Sequence, residues 1–118
     1  MRTRVLRFGL YADEQGLARV EGLVRDAVGS RSARVMEMSV LRTLPGSGMP
    51  AAEMYEYLVE QWDIEHPGEG RGAREPVELR VDLGCSLRTW RAVRAAVIKG
   101  LCPEGTAPHT CRVPWAIG

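Results

Sequence analysis

"RVLRFGLYA", Arg4 to Ala12, is the stretch on which the fold turns. Leu6, Phe8 and Leu10 alternate with Arg7 and Gly9, and a period of two is that of a strand with one buried face. "VELRVDL", 77–83, repeats the pattern, with Val77, Leu79, Val81 and Leu83 inward. Strands of a parallel sheet are covered on both faces and read as continuous apolar runs. These strands do not, so a sheet with one wet face is expected.

The segments around them alternate with helices. Asp13 is placed as the N-cap of "EQGLARVEGLVRDAVG", 14–29. Leu17, Val20, Leu23, Val24, Ala27 and Val28 share one arc at about 100° per residue, and Gly29 is expected to end the helix. "ARVMEMSVL", 33–41, is read as a strand with Met36, Met38 and Val40 on one face. Pro50 suits the first turn of a second helix, Ala51 to about Ile64. Its apolar arc is Met54, Tyr55, Leu58, Val59 and Trp62, and Glu53, Glu56, Glu60 and Asp63 lie beside it. "HPGEGRGAREP" is a Gly/Pro loop. Ser86 caps a third helix, with Leu87, Trp90, Val93, Val97 and Leu101 inward and Gly100 as its C-cap. "HTCRVPW", 109–115, reads as a last short strand, held to an edge or a strand end by Pro114.

The order β-α-β-α-β-α-β is expected in a single domain, 1–118. The fold class is α+β: a ferredoxin-like, four-stranded antiparallel sheet, the middle helix inserted between its second and third strands and the helices packed on one face. The alternative is a small parallel α/β sheet.

Composition narrows the functions. The formal net charge is +1, which argues against whole-surface attraction to nucleic acid or anionic lipid. No apolar run approaches the ~18–20 residues of a membrane span. The basic start, "MRTRVLRFGLYADEQ", meets charge too soon for a signal peptide. A cytoplasmic, reducing location is expected, in keeping with three cysteines. Of 16 basic residues only Lys99 is lysine. GC-rich codon usage accounts for that bias, so arginine richness alone does not indicate phosphate binding.

Cys85, Cys102, His109 and Cys111 are the residue types of a tetrahedral zinc site. The third helix would hold Cys85 and Cys102 roughly 22 Å apart, whereas zinc ligands must lie ~2.0–2.3 Å from one ion. No metal site and no cofactor are therefore expected, and a Cys102–Cys111 disulfide stays open. Cys85 and Arg91 have the Cys-x5-Arg spacing of cysteine-dependent phosphatases. The residues between them include Leu87 and Trp90, which read as core, where a phosphate cradle needs small permissive residues. His66 and His109 sit in loops without a nucleophile motif, so no catalytic residue is assigned. Arg94 falls on the apolar arc of the third helix. It either snorkels or pairs with a carboxylate in a pocket or interface.

Charge segregation is the main functional signal. From Glu53 to Glu69 there are six acidic residues and no Lys or Arg. From Arg80 to Arg112 there are six basic residues against Asp82 and Glu104. The expected function is a small non-enzymatic module that binds a protein partner or self-assembles as a homo-oligomer. Its contact residues would be Glu53, Glu56, Glu60 and Asp63 on one helix, and Arg88, Arg91, Arg94 and Lys99 on another. The alternative is a cofactor-independent small-molecule enzyme or binder, with an apolar pocket lined by Met36, Met38, Tyr55, Trp62 and Trp90. Nucleic-acid binding through Arg88, Arg91 and Lys99, helped by Arg2, Arg4 and Arg7, is the weakest reading.

Overall fold

The computed structural model describes residues 2–102 and 113–117. In chain order they form β1 (Arg2–Ala12), α1 (Glu14–Gly29), β2 (Arg34–Leu41), α2 (Ala51–Met54), α3 (Glu56–Glu65), β3 (Glu75–Cys85), α4 (Leu87–Leu101) and β4 (Trp115–Ile117). The strands make one sheet in the order β2-β3-β1-β4, and every neighbouring pair is antiparallel. The parallel alternative is overturned. β1 and β3 pair directly along their whole length, from Arg2↔Cys85 to Ala12↔Glu75. That register sets Leu6, Phe8 and Leu10 beside Val81, Leu79 and Val77 on one face.

On that face lie α1 and α4, whose Val20, Val24, Val28, Val93, Val97 and Leu101 close the larger core. Both helices begin where expected. Asp13 Oδ1 accepts the Gly16 N–H at 2.8 Å, and Ser86 Oγ accepts the Thr89 N–H at 3.2 Å. Gly16 and Gly22 each cost α1 about 1 kcal/mol of helix propensity. Burying each of Val20, Val24 and Val28 stabilises by roughly 1.5–3 kcal/mol, so docking outweighs that cost. Gly100 is not a cap: α4 runs on to Leu101, and Cys102 closes it by donating its N–H to Ile98 O. Gly100 instead faces α1, where an added Cβ would come 2.7 Å from Leu23 Cδ2.

β2 departs from simple alternation. Val35 pairs with Leu83 and Glu37 with Asp82, leaving Met36 as the extra residue of a β-bulge. The bulge shifts the phase by one. Val35, Met38 and Val40 reach the core, while Met36 is 58% exposed. Met36 and Met38 therefore do not share a face.

The expectation that all helices lie on one face is also corrected. α2 and α3 cover the opposite face, where Tyr11, Ala51, Tyr55, Leu58 and Trp62 form a second, smaller core. The cause is in β1 itself. Its other face carries Gly9 and Tyr11 at successive outward positions, an open floor beside an aromatic wall. Tyr55 fills the floor so closely that a Cβ on Gly9 would lie 2.1 Å from Tyr55 Cε1. The stretch read as one second helix is accordingly two. Helical geometry lapses at Tyr55, whose φ is −111° and ψ 24°, and resumes at Glu56.

Candidate functional site

The layer order, α1/α4, sheet, α2/α3, separates the two charged helix faces. Glu53, Glu56 and Glu60 are exposed on α2 and α3. Asp63 is half-buried and committed to the following loop. It accepts from Arg71 Nε at 3.1 Å, and that hydrogen bond holds its carboxyl below the ordinary range. Among the described residues, three of the four acidic residues thus stand outside any ion pair. On α4, Arg88, Arg91 and Lys99 are exposed. The angular step of 100° per residue puts them on one flank, with about 16 Å from Arg88 to Lys99. None of the three is in an ion pair among the described residues. Because these elements cover opposite faces of one sheet, the acidic and basic arcs cannot neutralise each other within one molecule.

Arg94 stands apart from that flank. It is half-buried, with its guanidinium carbon 5.9 Å from the centroid of Trp90. The carboxylate partner that the sequence allowed for is not found among the described residues. Trp90 itself is half-buried against the larger core and donates its indole N–H to Val5 O at 3.0 Å.

The residues grouped as pocket lining are divided by the sheet. Met38 and Trp90 belong to the α1/α4 side, Tyr55 and Trp62 to the α2/α3 side, and Met36 faces outward on the bulge. The structure brings Tyr55 and Trp62 together with Tyr11, whose ring meets Trp62 edge-on at 6.2 Å. Trp62 is further covered by His66, stacked at 4.5 Å, and by the Arg74 guanidinium at 4.8 Å. His66 Nδ1 lies 3.0 Å from Trp62 O. His66 is thus part of the packing around α3.

Glu78 is the residue that sequence reasoning missed. It sits opposite Gly9, on the α2/α3 face of β3, and only 2% of it is exposed. Its Oε1 accepts the Tyr55 hydroxyl at 2.8 Å, and its Oε2 has no hydrogen-bond partner among the described residues. Burial raises the Tyr55 phenol pKa above its ordinary value, the Glu78 hydrogen bond adds to the rise, and nearby Arg7 opposes it. A carboxylate taken out of water with one oxygen unpaired depends heavily on the partner it has. The signal in the sequence was indirect. An outward glycine and an outward tyrosine in β1 announce that this face is covered, and Glu78 is their neighbour on β3.

The cysteines stand where the intact α4 puts them, Cys85 buried at the end of β3 and Cys102 half-buried at the C-cap of α4. His109 and Cys111 lie outside the described residues, as does any Cys102–Cys111 pairing. No helix among the described residues is long and apolar enough to cross a membrane. No protein-family model matches this chain, and no curated protein matches it at a significant level.

Proposed function

We propose that the protein is a non-enzymatic, ferredoxin-like module that works by binding protein, and that the first partner to test is a second copy of itself. One observation carries this reading: uncommitted Glu53, Glu56 and Glu60 on one outer layer, and uncommitted Arg88, Arg91 and Lys99 on the other. The acidic layer of one copy meets the basic layer of the next, head to tail. Such a contact is heterologous, so it grows into rings or filaments and does not stop at a two-fold dimer. Exposed charges of this kind steer association and set its register, and salt screens them over ~10 Å at 0.1 M. The ferredoxin-like assignment draws support from the strand order, in which β3 lies between β1 and β2 and β1 lies between β3 and β4.

Sedimentation velocity at low and high salt tests it. The expected result is concentration-dependent association at low salt that is lost at high salt. The triple charge reversal Glu53→Lys, Glu56→Lys, Glu60→Lys abolishes it, as does the pair Arg88→Glu, Arg91→Glu. Mixing the two variants restores a hetero-complex, because each retains one native face and the reversed faces are complementary. A strictly monomeric wild-type chain at low salt, at concentrations near a millimolar, overturns self-association.

A further inference from the structure

From the outer surface of α3 we infer that the contact between copies has an apolar centre, in which Tyr57 and Ile64 of one copy sit on the outer flank of α4, at Ala92 and Ala95, in the next. This contact rests on the self-association proposed above. It supplies what holds the copies together once charge has brought them into register.

α3 is not apolar on one side only. Leu58 and Trp62 are buried in the smaller core, while Ile64 is 79% exposed and Tyr57 51% exposed. At 100° per residue, Tyr57 and Ile64 fall within about 20° of each other and roughly 100° or more from Leu58 and Trp62. No change of rotamer brings them into the core. They stand about 10 Å apart along the helix, and the row beside them is Glu56 and Glu60. Met54, in α2, is a third apolar side chain in the open, 47% exposed. Single apolar residues on a surface are ordinary. Here three of the seven large apolar side chains exposed among the described residues lie on α2 and α3, beside the acidic residues. An apolar middle with charge around it is the make-up of a contact surface, with its core and polar rim.

α4 presents the counterpart. Gly100 faces α1, and Val93 and Val97 are buried in the larger core. The side left over is Arg88, Ala92, Ala95 and Lys99, spaced by four, three and four residues, and all four are exposed. The two alanines make a low floor between basic ends about 16 Å apart, long enough to receive the ridge of Tyr57 and Ile64. α4 contains no acidic residue, so nothing in it repels Glu56 and Glu60. A second α3 in place of α4 would set acid against acid, which favours the head-to-tail pairing. Neither half of the contact suffices alone. Exposed ion pairs contribute little by themselves, and burial of apolar surface has no direction of its own. Charge orients the two helices, and the apolar ridge holds them.

Sedimentation velocity of the full chain at low salt, with circular dichroism to follow folding, tests this. Tyr57→Gln and Ile64→Gln change no charge and alter exposed side chains. The thermal midpoint is expected to stay where it is, and association to weaken by about fivefold to tenfold for each. The two together are expected to abolish it. Ala95→Gln, which raises the floor on the other element, is expected to weaken association to the same degree. Met36→Gln, which removes an exposed apolar side chain from the β2 bulge, is expected to leave it unchanged. Because the contact is head to tail, the Tyr57→Gln, Ile64→Gln chain keeps one working face. Added in small proportion to the wild type, it should end growth and lower the mean size. Association of the folded double variant at wild-type strength, where Glu53→Lys, Glu56→Lys, Glu60→Lys abolishes it, overturns the apolar centre and leaves the charge contact standing. A monomeric wild-type chain overturns both. Equal loss in Met36→Gln, or full association by Ala95→Gln, overturns the pairing of α3 with α4.

Discussion

Removing a single oxygen, by Tyr55→Phe, tests whether the second core is organised around Glu78. The phenol is the hydrogen-bond partner of a carboxyl group that is 2% exposed and whose other oxygen is unpaired among the described residues. The ring stays in place, since phenylalanine fills the same floor over Gly9, so the apolar contacts of the smaller core are kept. What is lost is one hydrogen bond to a buried charged group, worth about 1.5–3 kcal/mol, with the added penalty of a carboxylate left without any partner. Breaking a buried pair from one side costs up to about 3–5 kcal/mol, and a loss of about 3 kcal/mol is expected here. For a chain of this length that lowers the midpoint of thermal unfolding by roughly 10–15 °C. Glu78→Leu in the Tyr55→Phe background is the decisive second arm. With both polar partners gone, no unpaired group remains, and removing both is nearly neutral. The double variant should therefore recover most of the loss, giving a coupling of about 2 kcal/mol or more in a double-mutant cycle. Urea unfolding followed by far-ultraviolet circular dichroism measures all four corners. A Tyr55→Phe chain within about 0.5 kcal/mol of wild type, or a double variant less stable than either single one, refutes the reasoning.

Three further outcomes follow from the same packing. Gly9→Ala forces a Cβ to within 2.1 Å of the Tyr55 ring; the ring is buried in the smaller core and its hydroxyl is tied to Glu78, so a loss of about 3 kcal/mol or more is expected in urea unfolding. Gly22→Ala meets nothing within 4 Å in the middle of α1, and should stabilise the chain by about 0.5–1 kcal/mol in the same assay. In alkali, the raised pKa values of Tyr55 and Tyr11, both due first to burial, make the unfolded state release protons before the native state does. Their contribution is fully present below the ordinary tyrosine value near 10 and is lost as pH climbs through the raised ones. The urea midpoint should therefore fall from about pH 9 to about pH 11, and fall less steeply in Tyr55→Phe; a flat profile would contradict the burial of these phenols.

Much of the fold was legible because its signals are local. Asp13 and Ser86 each stand one residue before an amphipathic run, and each side chain does accept a backbone N–H of the first turn. Leu6, Phe8 and Leu10 announce the inner face of β1 by alternation alone. The bulge at Met36 was not legible. An alternating pattern assumes one residue per register step, and only the partner strand shows that two residues oppose one. Gly100 was misread for a related reason. A glycine near a helix end suits a C-cap, but here its missing Cβ is used sideways, against Leu23 on α1. The second core was hidden because Tyr11 and Glu78 occupy positions that alternation assigns to water. Only α2 and α3, whose own apolar arc needs a surface, convert those positions into an interior.

That second core changes what the charged residues mean. With all helices on one face, the acidic and basic arcs would have been neighbours, free to cancel across a helix–helix contact, and the segregation in the sequence would have had an internal explanation. Placing α2 and α3 on the far side of the sheet removes that explanation. Gly9 is what permits the placement, since any larger residue there would lift Tyr55 off the strand and take α2 with it. The polarity of the outer surface therefore depends on a glycine at the centre of β1. If Gly9→Ala leaves the chain folded but displaces α2 and α3, it should weaken the proposed head-to-tail association as far as charge reversal does, without altering any charge.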